Sequence, residues 1–316
     1  MKYKELIHVV SFSGGRSSAF LVYQMEVARK KYGWNVVYIF TDTGVESPKT
    51  YKFIRDVVKH WGINLVILRA KVNPTLHKGN SYEVFTPNDL MDTSVMPPFE
   101  PFFSIMKKYG TPNISGPFCS DRMKKDVSQA YCRDHFGKGN YITWLGIRSD
   151  EKTRLKGNRS GIKYLADLIE IEKPDVVNWW KQQPFDLELD EEEGNCLLCI
   201  KKSIPKLALA MKKNPGFYHQ WIYHIADPSV REKPGYDKKV MYRGHLSLEG
   251  IAKLYENTPE DEIQSAVSKG KRFDTSSCSE SCESFKADDV DFDEVDAELY
   301  RQFHDELNLK QLVFTI

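Results

Sequence analysis

The sequence has no apolar run near the roughly 18 residues that a membrane-spanning helix needs, and no internal repeat. No partner at a membrane is expected. Neither charge sign prevails: 45 basic and 44 acidic residues leave a net charge of +1 at pH 7. That excludes a surface that is one continuous nucleic-acid footprint, while leaving room for a local basic groove. Histidine is sparse, and the eight present show no metal-ligand spacing. His219 and His224, five residues apart, do not share a helical face. Cysteine is scarce as well: Cys119, Cys132, Cys196, Cys199, Cys278 and Cys282 are the full set. No secretion signal precedes the first apolar segment, so the expected location is the cytoplasm. In a reducing compartment, clustered cysteines are more often metal ligands or redox centres than disulfides.

What is present is globular. Apolar residues make up 41% and charged residues 28% of the 316 positions, the proportions of a soluble domain. The length suits one large domain with an appendage, or two modest ones. Short β-rich runs at 7–12, 35–41, 64–69 and 140–147 predict strands. Helices are expected over about 17–31, 48–61 and 121–135, the second from the spacing of Tyr51, Ile54, Val58 and Trp61. Alternating strands and helices imply parallel βαβ units with right-handed crossovers. Residues 75–118 lose this rhythm and read as loop with short helices; 152–162 read as a mobile basic loop. Trp179 and Trp180 are placed in a short helix. Lys201, Lys202, Lys206, Lys212 and Lys213 form a basic helical stretch, read as a solvated face. With the aromatic set around Trp221 it would be the place to look for a nucleic-acid substrate.

The expected fold is α/β: a Rossmann-like, doubly wound, mostly parallel sheet over residues 1–175. A helical cap carrying the Cys196/Cys199 pair follows over 176–250, and a C-terminal segment over 251–316.

Ser11 lies near the end of the first strand, and Ser13-Gly14-Gly15-Arg16-Ser17-Ser18 leads into the first helix. Glycines let a backbone approach phosphates closely. A helix start offers unpaired N–H groups and a positive dipole end. The serine hydroxyls and Arg16 add donors and charge.

Strand–SGGxxS–helix resembles the PP-loop, or adenine nucleotide α-hydrolase-like, superfamily, and within it the phosphoadenosine phosphosulfate (PAPS) reductase family. Four further segments match in order. Phe40-Thr41-Asp42-Thr43-Gly44 with Glu46 resembles the "TG" signature of the second strand. Cys119-Ser120-Asp121-Arg122-Met123-Lys124 resembles a Cys-x-x-x-x-Lys segment. Gly146-Ile147-Arg148-Ser149-Asp150-Glu151 with Arg154 resembles G-x-R-x-x-E. Gly194-Asn195-Cys196-Leu197-Leu198-Cys199 with Lys201-Lys202-Ser203 resembles a GNCxxCxKS box of a divergent branch common in phages and mobile elements. The departures are Arg16 or Ser17 where ATP-using members usually carry Asp, and the absence of the E-C-G-L-H tail of classical PAPS reductases.

The resemblance implies an adenine nucleotide, ATP or PAPS, as ligand, and a sulfur donor or reductant as co-substrate. It implies nucleotide contacts from the phosphate loop, Thr41 to Gly44, Lys124, Gly146 and Arg154. Arg148, Asp150, Glu151 and Cys119 are the candidate catalytic residues, with Mg²⁺ as a candidate partner of Asp150 or Glu151. Cys119, Cys196 and Cys199, with Cys278 as a fourth ligand, are candidates for a [4Fe–4S] cluster, zinc being the alternative and a metal-free thiol pair the third. The arrangement resembles that of iron–sulfur tRNA thiolases. A homo-oligomer is expected.

Overall fold

The computed structural model describes residues 6–114, 117–155, 161–194, 196–232, 243 and 246–270. Its strands are β1 (Ile7–Ser11), β2 (Asn35–Asp42), β3 (Leu65–Lys71), β4 (Ser81–Phe85), β5 (Tyr141–Leu145) and β6 (Ile162–Tyr164). They form one sheet in the order β4-β3-β2-β1-β5-β6. All neighbours are parallel except β3 and β4. The helices are α1 (Arg16–Tyr32), α2 (Pro48–Trp61), α3 (Phe102–Tyr109), α4 (Asp126–Phe136), α5 (Leu165–Leu168), α6 (Lys173–Trp180), α7 (Ile204–Lys213), α8 (Pro215–Ala226), α9 (Leu248–Leu254) and α10 (Glu260–Gly270).

Period-two alternation along the strands decides which face each residue joins. Val10, Phe12, Tyr38, Phe40, Leu65, Ile67, Ile142 and Trp144 face one core, shared with α1, α2 and α6. Val9, Ile39, Leu68, Ala70 and Tyr141 face the other, shared with α3, α4 and α7 to α10. Both faces are covered, as a parallel sheet requires. The C-terminal helices therefore close the same core as the sheet. Among the described residues, no helix is long and apolar enough to cross a membrane.

The expected strands and the first two helices are present. Two strands in the irregular regions were not expected. β4 is an edge strand whose residues are mostly exposed, and β6 has only three residues. Residues 156–160, in the expected mobile loop, lie outside the described residues, as do residues 271–316 with Cys278 and Cys282. The solvated-stripe reading fails for Lys202 and Lys206, which are buried: Lys206 lies on α7, which packs into the second core instead of lying on its surface, and Lys202 lies in the turn that precedes it.

The chain order places the site. From β1 the chain moves outward through β2 and β3, then returns to place β5 on the other side of β1. Such a reversal opens a crevice at the carboxyl ends of the two central strands. There the end of β5 presses on the start of α1. A Cβ on Gly146 would meet Ser18 Cα at 2.7 Å and Ser18 N at 2.8 Å. Because these are backbone atoms, Gly146→Ala is expected to cost about 1–3 kcal/mol, read as a lower urea midpoint with an unchanged denaturant slope.

Candidate active site at the carboxyl edge of the sheet

The loop after β1 is a strand-to-helix turn held by its own serines. Ser13 Oγ lies 2.9 Å from Ser18 Oγ, the Ser13 amide donates to Ser18 Oγ at 3.2 Å, and Ser18 Oγ donates to the Gly15 carbonyl at 2.9 Å. Gly14 has φ +80°, and a Cβ there would stand 2.6 Å from Thr50 Cγ2 of α2, so only glycine fits both the turn and the space. The helix begins after Gly15 with no side chain capping its first turn and no acidic residue there. That leaves the positive end of the α1 dipole facing the loop.

Arg148, from the end of β5, reaches this loop. Its Nη1 donates to Ser17 Oγ at 2.8 Å. Its Nε and Nη2 are gripped by Asp150 at 2.9 and 3.2 Å. Glu151 accepts from the Arg148 amide at 3.1 Å and from Arg154 Nη1 at 2.6 Å. Asp150 and Glu151 thus orient arginines. Arg16 is turned elsewhere: Asp186 and the Leu187 carbonyl hold its guanidinium. No motif or local spacing marks Asp186 as the partner, 170 positions away.

The end of β2 carries a second cluster, buried and charged. Asp42 is fully buried; it accepts from Arg69 Nε, from Tyr51 Oη at 2.7 Å and from the Gly44 amide at 3.1 Å. From the sequence Arg69 reads only as a strand residue and Tyr51 only as a helix residue, because Asp42 lies on a different element from both, 27 and 9 positions away. Glu46 accepts from Thr43 Oγ1 at 2.8 Å and from the amides of Thr43 and Val45. Lys124 stands 3.7 Å from Glu46 Oε1. It is brought there by a wide turn of π geometry, Asp121–Lys125, that runs into α4, the kind of helix irregularity that recurs at functional sites. Burial first, and Asp42 next, push the Glu46 carboxyl up to about 7, against the pull of Lys124. Burial also holds the Tyr51 phenol well above its ordinary value, with Asp42 and Glu46 adding to it. Thr41 Oγ1 pairs with Ser128 Oγ of α4 at 2.9 Å. Gly44, at φ +77°, has the Glu100 carbonyl over it, 2.0 Å from where a Cβ would be.

The cysteine box docks on this same loop. Glu46 and Cys196 form an antiparallel bridge, and the Leu197 amide donates to the Val45 carbonyl at 3.0 Å. Cys196 Sγ lies 3.5 Å from Thr43 Oγ1. The Cys199 amide donates to the Cys196 carbonyl at 3.1 Å. Lys202 Nζ, buried, donates to the carbonyls of Glu192 and Leu197 and so ties the box together. Burial pulls this ammonium down to about 8, against the opposing pull of Cys199 and Cys196. Cys119 packs, partly buried, on the same core as Cys196, while Cys132 is fully buried in it. Among the described residues, no three His, Cys, Asp or Glu side chains are grouped to hold a metal ion. The described thiols therefore do not by themselves fit a four-thiolate cluster or a zinc site, nor do Asp150 and Glu151, committed to arginines, fit a Mg²⁺ site. Cys278, the fourth expected ligand, lies outside the described residues.

The Glu46 carboxyl sets a pH dependence. Its value rises from 4.5 to about 7 on folding. Between those values the folded state binds more protons than the unfolded state, so stability falls as pH rises through that window. Glu46→Gln removes the titration. Urea unfolding from about pH 5 to about pH 8 should show wild type losing more stability than the variant, by up to about 1.4 kcal/mol per pH unit. Parallel curves would contradict the raised value.

Comparison with known proteins agrees with this edge of the sheet. Residues 7–87, which span the phosphate loop, the end of β2 and Glu46, match the phosphoadenosine phosphosulfate reductase domain. An uncharacterized nin region protein, ORF290, of Escherichia phage lambda is 49% identical over 292 residues, covering 91% of this chain and 98% of the phage protein. The uncharacterized protein MJ0066 of Methanocaldococcus jannaschii is 21% identical over 250 residues, 74% of this chain but 45% of that protein. The chain belongs to the PAPS reductase-like family, in company with a phage protein that matches it over nearly its whole length.

Proposed function

We propose that the protein is an adenine-nucleotide-dependent enzyme of sulfur chemistry that activates an acceptor with ATP for sulfur transfer. The observation that carries this reading is the position of Cys196: its thiol lies 3.5 Å from Thr43 Oγ1, on the same sheet edge as the phosphate loop. In this reading nucleotide and sulfur chemistry share one crevice.

In this reading the triphosphate lies on the loop 13–18, with the start of α1 and Arg148 around it, and the adenosine lies toward the end of β2. An oxygen of the acceptor attacks the α-phosphorus, and the bond to pyrophosphate breaks. The α1 dipole and the Arg148 guanidinium offset the charge that develops on the leaving pyrophosphate. The sulfur of a hydrosulfide donor then attacks the activated carbon and displaces AMP. Arg148 is pre-set for this by Asp150, so it needs little reorganisation when charge develops.

The Cys196–Cys199 pair also supports a second reading, reduction of PAPS. One thiolate attacks the sulfonyl sulfur and displaces adenosine 3′,5′-bisphosphate. The second thiol then forms a disulfide with the first and releases sulfite, so a dithiol reductant is needed for each turnover.

Product analysis separates the two. Incubated anaerobically with ATP, sulfide and bulk RNA as the source of acceptor, the protein should release AMP and pyrophosphate; sulfite from PAPS plus dithiol would instead establish the reductase. Arg148→Ala should lower the turnover of whichever substrate is used by about 100-fold or more, and Arg148→Lys should recover only part of it, because the fork to Ser17 and Asp150 is lost. Turnover of neither substrate, with nucleotide still bound, would contradict the enzymatic reading and leave a nucleotide-sensing module.

A further inference from the structure

Arg16 opens α1, and its guanidinium is already engaged. Nε and Nη2 contact the two carboxylate oxygens of Asp186 at 2.8 and 3.0 Å, and Nη2 also donates to the Leu187 carbonyl. Asp186 belongs to the segment 181–194 that leaves α6 and enters the cysteine box. The start of that segment is fixed to the same arginine, because Trp180 Nε1 donates to the Arg16 carbonyl at 3.1 Å.

Beyond Asp186 the segment is acidic, and lysines of α2 and α7 hold it. Lys52 pairs with Glu188 at 3.2 Å, Lys213 with Asp190 at 2.7 Å and with Glu192, and Lys49 with Glu193 at 2.9 Å. Its far end is buried: Glu192 and Glu193 are inside, and the Glu192 carbonyl accepts from the same Lys202 ammonium that holds the Leu197 carbonyl. A continuous chain of contacts thus runs from the first residue of α1 to the loop bearing Cys196 and Cys199.

We propose that Asp186 serves as an internal counter-anion for the phosphate loop: a phosphate arriving there competes with it for Arg16, loosens residues 186–190 and changes the exposure of Cys196 and Cys199. The inference rests on the phosphate-loop reading above and adds regulation to it. A phosphate is a stronger partner than a carboxylate for the same fork, since it brings more charge and the same bidentate geometry. The resident ion pair is partly exposed, at 23% and 37% for its two side chains, and pairs in such positions are weak enough to exchange. The tethers at 188 and 190 involve exposed carboxylates, so the segment yields there before it yields at Glu192 and Glu193. Exchange can shift the segment because Arg16 is one cation with two rival anions, which is the differential affinity a coupled change requires.

Calorimetric titration of the full chain with inorganic pyrophosphate and with ATP tests the exchange. Alkylation of Cys196 and Cys199 by iodoacetamide, mapped by mass spectrometry with buried Cys132 as the internal reference, tests the coupling. Asp186→Asn should bind pyrophosphate roughly two- to fivefold more tightly than wild type, and Asp186→Glu should stay near wild type. Saturating pyrophosphate should raise the alkylation rate of Cys196 and Cys199 in wild type. Asp186→Asn and Arg16→Gln, which break the contact from opposite sides, should show the raised rate without ligand. Unchanged or weaker pyrophosphate binding by Asp186→Asn, or alkylation that ignores pyrophosphate in wild type, overturns the exchange while the phosphate-loop reading stands. Failure of wild type to bind either pyrophosphate or ATP overturns that reading and the exchange with it.

Discussion

Arg148 lies at the reversal between β1 and β5, with Nη1 on Ser17 Oγ and its other edge on Asp150. It is 5% exposed, and a charge that deep persists only when its donors are matched. The match comes from two places 131 residues apart in the chain, the phosphate loop and the turn after β5. The contact therefore exists only when β5 pairs with β1 in register, Ile7 opposite Tyr141 and Val10 opposite Trp144. The close approach of Gly146 to the first turn of α1 belongs to the same constraint. Sheet order, glycine placement and the cation at the phosphate loop are one requirement seen at three levels.

The end of β2 shows the complementary problem. Asp42 and Glu46 are two carboxylates removed from water within one turn of each other. Arg69, Lys124, Tyr51 and backbone amides satisfy them. The settings differ: Asp42 has a bonded guanidinium, while Glu46 has an ammonium at 3.7 Å, and burial, with the Asp42 charge adding to it, holds the Glu46 carboxyl above its ordinary value. The cysteine box leans on this loop through the Glu46–Cys196 bridge, so the electrostatics of the β2 end and the setting of the Cys196 thiol are coupled by direct contact. Lys202 does for the box what Arg148 does for the phosphate loop: a buried cation gathers backbone and side-chain oxygens from separate segments.

Much of this could be read from the sequence. β1, β2, β3 and β5 are runs buried on both faces, so apolar content and β-branching mark them. The loop 13–18 stands out by its glycines and serines between a strand and a helix, and the segments around Asp42, Arg148 and Cys196 by their resemblance to a family's motifs. β4 was not legible, because an edge strand that faces solvent carries little apolar signal. Lys202 and Lys206 look like a solvated face in a lysine-rich stretch and are buried: tertiary packing decides which side of α7 is inside for Lys206, and the carbonyls of Glu192 and Leu197 draw in Lys202, which precedes α7. The commitment of Arg16 to Asp186 was equally hidden: the two residues lie 170 positions apart, and neither local spacing nor composition records such a pair.

The proposed function requires one crevice for both the nucleotide and the thiols. A crystal structure of the full chain with a non-hydrolysable ATP analogue decides this. The triphosphate should lie on residues 13–18 within reach of Arg148, the adenosine at the end of β2, and Cys196 on the side of the α-phosphate. A nucleotide bound elsewhere on the sheet, or one seated on the loop with Cys196 turned away from it, would rule out a shared crevice.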